Sequence, residues 1–366
     1  MERLKAAVIG VGFIGEAHVE ALKRVPYVDV VAIVDGIGAA EKAAKLDVPH
    51  YFTDYKEMIE ACKPDCIHVC TPNHTHKEIS LYAFAHGIHV ICEKPMARDA
   101  EEAREMVEAA EKSGLVNAIN FHNRYYPVIH NLRNMIKEGE LGDIYTVHGG
   151  YLQDWLLYDT DFNWRIVSKN SGRTRAISDI GCHWIDLAEY VTGQRVTEVF
   201  AEFKNVHPKR KQKTGDGYEE IEVDTEDLAY IMLRFDGGAI GNGAVSTIFS
   251  GKKNQTTLLV SGSKMSAEWD NEKVESLLLG YRDETNRLMV KNPKLAHPDT
   301  APIITYPAGH TEGFPDAFKQ NFTAIYGAIR GVKPANPFAT FADGLHQMEI
   351  CDKLYESAQT GQWTAL

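Results

Sequence analysis

The sequence predicts an α/β chain of two domains. A doubly wound parallel sheet is expected over residues 1–125, and an α+β domain with a large, mostly antiparallel open sheet over 126–366. Three observations predict it. A glycine-rich turn joins the first apolar strand to the first helix, and strands and helices then alternate to about residue 120. Beyond about residue 125, extended segments succeed one another with short turns between them. A length of 366 residues exceeds one ordinary compact domain, which agrees with two.

The composition, 44% hydrophobic and 25% charged, is that of a soluble globular protein. A formal net charge of −12 argues against a nucleic-acid-binding surface, which needs basic patches. No apolar run approaches membrane-spanning length, and no signal-peptide segment precedes the first strand. Cysteines 62, 66, 70, 92, 182 and 351 form no Cys-x-x-Cys, so buried thiols in a reducing cytoplasm are expected.

Ala6-Ala7-Val8-Ile9 is a short apolar strand running into Gly10-Val11-Gly12-Phe13-Ile14-Gly15, with a helix expected from Glu16 to Arg24. A G-x-G-x-x-G between strand and helix is the dinucleotide-binding, Rossmann-type arrangement. Gly10 permits the tight turn, Gly12 lets a pyrophosphate approach the backbone, and Gly15 lets helix and strand pack closely. The helix amino terminus supplies N–H groups and positive potential to phosphates. Phe13 and Ile14, within the turn, join the candidate cofactor contacts. The next strand, Val28 to Val34, ends at Asp35, about 20 residues past Gly15, where a carboxylate can accept both ribose hydroxyls and repel a 2′-phosphate. No arginine follows directly, so NAD is favoured, with NADP the alternative.

Alternation continues with helices Gly38 to Lys45 and Tyr55 to Cys62, strand Cys66 to Cys70, helix His76 to His86 and strand His89 to Cys92. Asp99 and Glu102 form a capping box for a helix reaching Lys112, and Val116 to Asn120 is a further strand. Thr71, Pro72, Asn73, His76, Glu93, Lys94 and Asn120 fall at strand carboxyl ends, the ligand-facing edge of an open α/β sheet, and are candidate cofactor contacts. His74 and His76 are alternatively metal ligands, although a loop beside the nicotinamide ribose is the preferred setting. Lys94 is an ammonium at the end of a buried strand, its backbone biased toward extended by Pro95. Its structural alternative is a solvated rim lysine.

In the second half, Pro127 to Glu138 reads as a helix and Ile144 to Tyr151 as a long strand. A polar, aromatic stretch follows, containing Gln153, Asp154, Trp155, Tyr158, Trp164 and Arg165. Extended segments are expected at Val196 to Phe203, Glu226 to Phe235, Gly238 to Ser246, Thr256 to Ser261 and Ser266 to Trp269, and helices near Glu312 to Arg330 and Phe341 to Gln359. Asp179 and His183 are spaced i, i+4 at a helix start, so a carboxylate and an imidazole can converge on one substrate. Alternatively, Asp179 is an N-cap and His183 a packing residue, and Asp186 reads as structural. Pro208-Lys209-Arg210-Lys211-Gln212-Lys213, ending in Thr214-Gly215-Asp216-Gly217, reads as a solvated hairpin loop. His310, opening the late helix, either reaches the pocket or does not.

Together, Gly10 to Gly15, Thr71-Pro72-Asn73, Glu93-Lys94-Pro95 and Asp179-Ile180-Gly181-Cys182-His183 resemble, in that order, the Gfo/Idh/MocA oxidoreductases, the glucose–fructose oxidoreductase and inositol dehydrogenase family. The resemblance covers essentially the whole chain. One departure is Ser171-Gly172-Arg173-Thr174-Arg175-Ala176 where the family often has a glycine-rich run, so two arginines are expected to border the pocket. Gly309-His310-Thr311-Glu312-Gly313-Phe314 looks like the sugar-dehydrogenase branches, which include levoglucosan dehydrogenase.

The resemblance implies hydride transfer between a sugar or cyclic polyol carbinol carbon and nicotinamide C4, at a cleft where the two domains meet. His183 would act as general base, Lys94 would hydrogen-bond the same oxygen, and Asp179 would bind an adjacent hydroxyl or orient His183. Trp155, Trp164 and Tyr158 suit stacking on a pyranose, while Gln153, Asp154, Asn123, Arg124 and Arg165 could read hydroxyls, with His310 a further candidate. A homodimer or homotetramer formed through the open sheet is expected. Two other classes are compatible: an NAD-using sugar lyase or glycosidase working through transient oxidation, and a non-catalytic NAD-binding sensor.

Overall fold

The computed structural model describes residues 3–215 and 217–366, so Asp216 of the expected hairpin lies outside the described residues. The chain divides into two compact units, the first running to Tyr125 and taking up Phe314–His346, the second formed by Tyr126–Gly313 and Gln347–Leu366.

The first unit begins with β1 (Leu4–Ile9), α1 (Phe13–Lys23), β2 (Val28–Val34), α2 (Ala39–Lys45), β3 (His50–Phe52), α3 (Tyr55–Cys62), β4 (Cys66–Val69), α4 (His76–Ala85), β5 (His89–Cys92), α5 (Ala100–Ser113) and β6 (Asn117–Ile119). Its six strands are parallel in the order β3-β2-β1-β4-β5-β6. β4 and β5 and the carboxyl-terminal parts of β1 and β2 are buried on both faces, as strands under crossover helices must be. Chain direction across the sheet reverses between β1 and β4, which makes the carboxyl ends of these strands the switch point where ligands bind. β3 was not expected, since three residues carry no readable period. Helix α1 starts at Phe13 rather than Glu16, because Gly12 already accepts the first helical bond, from Glu16 N at 2.9 Å. The capping box is half formed: Asp99 accepts from Glu102 N at 2.9 Å, but the Glu102 carboxylate turns to Arg98 N at 3.1 Å.

The second unit contains α6 (Pro127–Lys137), β7 (Ile144–Leu152), α7 (Ser168–Ser171), α8 (Cys182–Thr192), β8 (Val196–Lys204), β9 (Lys209–Thr214), β10 (Gly217–Glu222), β11 (Leu228–Phe235), β12 (Ile240–Ser246), β13 (Gln255–Gly262), β14 (Ser266–Asp270), β15 (Ser276–Gly280) and β16 (Arg287–Val290). β9 and β10 pair with each other alone, and the remaining strands, with β17 (Thr364–Ala365), form a nine-stranded sheet ordered β16-β15-β14-β13-β7-β12-β11-β8-β17. All neighbours in it are antiparallel except β7 and β12. One face carries α8. Trp184 of that helix lies against the sheet with its indole donating to Thr257 O at 3.0 Å. A Cβ on Gly243 would come within 2.9 Å of the Trp184 ring, and one on Gly149 within 2.1 Å of Thr257 O. Glycine at these strand positions is what lets the helix bearing His183 sit so close.

The other face is open. Paired register sets Met232, Asn242, His148, Leu259, Glu268, Leu278 and Leu288 in one row across six strand junctions. Met232 is 43% exposed and Leu288 65%, although both are apolar.

After the second unit's long loop, α9 (Phe314–Ile329) returns to the first unit, followed by α10 (Phe341–Thr360). This corrects the simple expectation of one boundary at residue 125. Phe318, Phe322, Ile325 and Tyr326 are fully buried in the same core as Val8, Val19, Leu22, Ile33 and Ile91, so α9 covers the sheet beside α1. Burying three or four such side chains is worth roughly 1.5–3 kcal/mol each, which fixes where the helix belongs.

The basic run is also corrected. It is a strand, β9, and its arginine is interior: Arg210 is buried while Lys209, Lys211 and Lys213 are exposed. No described helix is long and apolar enough to cross a membrane. All six cysteines are free, four of them buried.

Candidate active site

The first unit's strand ends gather most of the candidate cofactor residues. Gly10 has φ +86°, which only glycine tolerates without strain, and a Cβ there would lie 2.8 Å from the backbone of Cys70 and Thr71. A Cβ on Gly15 would lie 2.1 Å from Gly10 O. Around Gly12 the situation is opposite, since a Cβ would meet nothing within 4 Å. Two glycines are thus required by packing, and the third leaves open backbone at the amino terminus of α1, as a pyrophosphate requires. Phe13 is 77% exposed beside that opening, 6.4 Å from Phe314 ring to ring, and Ile14 is half-buried.

Asp35 stands at the end of β2. Its Oδ2 accepts from Val11 N at 2.8 Å and Lys42 Nζ at 2.7 Å, and its Oδ1 from Ile37 N at 2.9 Å. Burial would raise its pKa, but the Lys42 bond and the two amides outweigh that and hold it below the ordinary value. A carboxylate has about four lone-pair positions, so three bonds leave about one for a ribose hydroxyl unless Lys42 swings away. The lysine seven positions on was not singled out in the sequence.

Thr71 and Pro72 lead into a short turn, Asn73–Thr75, in which Asn73 is buried. His76 ties this loop to the next: Nε2 lies 2.7 Å from Thr71 O, and Nδ1 lies 3.1 Å from Pro95 O and 3.3 Å from Met96 O. Both ring nitrogens thus face backbone carbonyls, and the neutral imidazole that burial favours donates to them from one nitrogen. Among the described residues no group of three His, Cys, Asp or Glu could hold a metal ion.

Lys94 is half-buried at the end of β5, before a cis bond to Pro95. Glu93, beside it, is buried and turned into the domain. Its Oε1 accepts from His18 Nε2 at 2.9 Å and Asn120 Nδ2 at 2.5 Å, and its Oε2 lies 3.3 Å from Lys94 N. Burial alone would raise the Glu93 pKa; the His18 bond, the charges of His18 and Lys94 and the Asn120 bond instead bring it down to about 2. An ionised carboxylate is thus locked behind Lys94. His18 continues to His68 (Nδ1 to Nδ1, 2.8 Å), and His68 Nε2 reaches the Tyr326 hydroxyl at 3.0 Å. His122, Asn123 and Arg124 occupy a buried turn after Asn120. Burial pushes His122 down to about 3, with the Glu93 carboxylate opposing and the Lys94 ammonium assisting. Arg124 is paired with Asp343 at 3.6 Å, so its guanidinium is committed within the unit.

In the second unit, Asp179 and His183 are both buried, but their setting is not a simple helix start. Ile177–Gly181 is a π-helical turn, with Cys182 N–H bonded to Ile177 O, and α8 begins only at Cys182. Asp179 is therefore no N-cap; its own N–H donates to Arg175 O at 2.8 Å. Such wide turns occur often at functional sites. Arg165 Nε lies 3.3 Å from Asp179 Oδ1, with its guanidinium 4.4 Å from the centre of the Trp164 ring. Tyr151 is 6.1 Å from His183 ring to ring and donates to Asn254 Oδ1 at 2.6 Å. Gln153 Nε2 donates to the same oxygen at 2.7 Å, and Gln153 Oε1 accepts from Trp155 Nε1 at 2.8 Å. Tyr151 and Asn254 were missed in the sequence, one reading as an ordinary strand residue and the other as a loop amide.

Asp154 is tied to Lys253 at 2.7 Å. His310 is exposed; its carbonyl accepts from the buried Lys291, which also pairs with Glu275 and Glu312 at 2.7 Å each. The two arginines expected at the pocket do not act alike: Arg173 is exposed near Asp352, whereas Arg175 is buried.

Residues 4–121 match the family described as "Oxidoreductase family, NAD-binding Rossmann fold", and residues 129–268 match the "GFO/IDH/MocA C-terminal domain". The chain belongs to the Gfo/Idh/MocA oxidoreductase family. As a Gfo/Idh/MocA protein it is an NAD-binding oxidoreductase, and the Gly10–Gly15 turn and Asp35 belong to its nucleotide domain. It is 28% identical to levoglucosan dehydrogenase of Pseudarthrobacter phenanthrenivorans over 99% of this chain and 98% of the relative. Identity is 30% with D-glucoside 3-dehydrogenase of Escherichia coli, over 65% of this chain and 68% of that one. Among solved structures, levoglucosan dehydrogenase in complex with NADH and L-sorbose superposes with a TM-score of 0.92 at 27% identity, covering 100% of this chain and 99% of the other.

Proposed function

We propose that this enzyme is an NAD-linked dehydrogenase of a sugar or cyclic polyol. The observation that carries the reading is the whole-length likeness, in sequence and backbone, to levoglucosan dehydrogenase, whose solved complexes contain NADH with L-sorbose or levoglucosan. Bound NAD would supply the hydride acceptor at nicotinamide C4. The chain's residues then have the following tasks. His183 takes the carbinol hydroxyl proton as the carbon-bound hydrogen leaves as hydride, and the substrate becomes a carbonyl compound. Lys94 hydrogen-bonds the same oxygen and stabilises its developing negative charge. Asp179, held by Arg165, binds a neighbouring hydroxyl or orients His183, while Gln153, Asn123, Trp155, Trp164 and His310 supply substrate contacts. Gly10, Gly12, Phe13, Ile14, Gly15, Asp35, Thr71, Pro72, Asn73 and His76 bind the cofactor. Glu93 and Asn120 act from behind, fixing the backbone and charge beside Lys94.

A panel of sugars and polyols incubated with NAD or NADP, followed by absorbance of the reduced cofactor, tests this. NADH is expected to accumulate with at least one pyranose or cyclic polyol. Substrate consumption without net NADH would replace the reading by a transient-oxidation lyase or glycosidase; nucleotide binding with no turnover across the panel would replace it by a sensor.

The open face of the large sheet supports a homodimer or homotetramer, since it exposes the large apolar side chains Met232, Leu278 and Leu288 among polar ones, as association surfaces do. Sedimentation is expected to give twice or four times the 40.9 kDa chain mass. Introducing Met232→Glu together with Leu288→Glu should shift it toward one chain. A wild type that sediments as one chain at micromolar concentration would refute the assembly.

A further inference from the structure

The buried guanidinium of Arg210 does work that neither the motifs nor the family match assigns. Its Nη1 donates to Tyr158 O at 2.9 Å and Asp161 O at 3.0 Å, and its Nη2 to Leu156 O at 3.0 Å and Asp227 Oδ1 at 2.7 Å. Neighbours of Arg210 hold the same stretch: His207 Nε2 lies 2.9 Å from Leu157 O, and Lys211 N donates to Asp159 O at 2.8 Å. Nearly every carbonyl from Leu156 to Asp161 is thus held by residues 207–211.

Asp227 extends the connection. Arg175 donates to the same Oδ1, while Oδ2 accepts from Val206 N at 2.7 Å and His207 N at 3.0 Å. Arg175 also donates from Nη2 to Glu226 O at 2.8 Å, and the backbone N–H groups of Arg175 and Ile177 both donate to the Glu226 carboxylate at 2.9 Å. Arg175 O in turn accepts from Asp179 N. Two buried guanidinium groups and two buried carboxylates have formal charges that cancel, which is the condition for keeping four charges in an interior.

We propose that Arg210 is a positioning residue for substrate recognition: it holds the loop carrying Trp155, Tyr158, Trp164 and Arg165 and, through Asp227 and Arg175, registers that loop against the turn carrying Asp179, which leads into the first residues of α8 with His183. This rests on the sugar or polyol reading above. A lysine cannot replace it, because three carbonyls and a carboxylate at separate points match the four N–H groups on the two Nη atoms of a planar fork, whereas an ammonium offers three donors from one point.

The test compares Arg210→Lys with Lys209→Ala, a change at an exposed lysine of the same strand. In Arg210→Lys, hydrogen exchange without sugar should accelerate at amides 156–164, and KM for the sugar should rise about tenfold with kcat and NAD affinity nearly unchanged. Lys209→Ala should match wild type in all of these. Unchanged exchange in Arg210→Lys, or a loss confined to kcat at constant KM, would overturn the proposal, the latter indicating only a smaller folded fraction. Should Arg210→Lys not fold, sugar must still add exchange protection at 156–164 in wild type; absence of that protection overturns it equally. A wild type that turns over no sugar would instead count against the functional reading, and the sugar-free exchange comparison does not depend on it.

Discussion

Replacing His183 or Lys94 by alanine is expected to lower kcat by about 10²–10⁴-fold, the range typical for loss of a positioned proton acceptor or of a donor to developing oxygen charge. NAD affinity should stay within about twofold of wild type, since neither side chain acts in ground-state cofactor binding under this mechanism. The two substitutions differ in what they leave behind. His183→Ala opens a space in a buried stretch of α8. Lys94→Ala leaves Glu93 ionised, because His18 and Asn120 still hold its carboxylate, so the ammonium is lost without collapse of the structure behind it. Steady-state rates at saturating sugar and titration of NADH fluorescence separate the two quantities. Normal turnover in either variant would remove that residue from the mechanism.

Asp35→Ala should weaken NAD binding by roughly ten- to a hundredfold, the equivalent of one hydrogen bond to a charged group. The same change should raise the relative use of NADP, for two reasons. A negative charge facing the 2′-phosphate is gone, and Lys42, now 2.7 Å from that carboxylate, is freed to meet the phosphate. Adding Lys42→Ala to Asp35→Ala should therefore cancel much of the NADP gain while leaving the NAD loss in place. Paired titrations of the wild type and both variants with NAD and NADP provide the check. Tighter NADP than NAD binding by the wild type would contradict the role given to Asp35.

Much of the nucleotide domain was legible because its signals are contiguous. β2, α3 and β5 begin and end where the sequence placed them, each being an apolar or amphipathic run bounded by turn or cap residues. Strands β15, β16 and β17 were not expected; they are short strands, β16 and β17 at the sheet's two edges and β15 next to one of them, that owe their conformation to the neighbours they pair with. The Asp179–His183 spacing was visible, but the π turn containing Asp179 was not, since Ile177–Val191 is buried all round and has no amphipathic period whose phase the wider turn would shift.

The hidden parts of the candidate site are those held by partners distant in the chain. His18 meets Glu93 across 75 positions, His68 meets Tyr326 across 258, and Arg175 meets Asp227 across 52. A basic run of five charged or polar residues looks equally solvated whether or not one of them turns inward, and Arg210 does. The sequence alone therefore determined the strand–glycine–helix nucleotide turn, the alternation that builds the parallel sheet, and the types and order of the candidate reactive side chains. These depend on backbone freedom and local periodicity, which neighbouring residues encode. Tertiary structure decided which charges are interior, what holds them and which carbonyls they grip, because a buried charge is tolerated only beside a counterpart that folding brings from elsewhere in the chain.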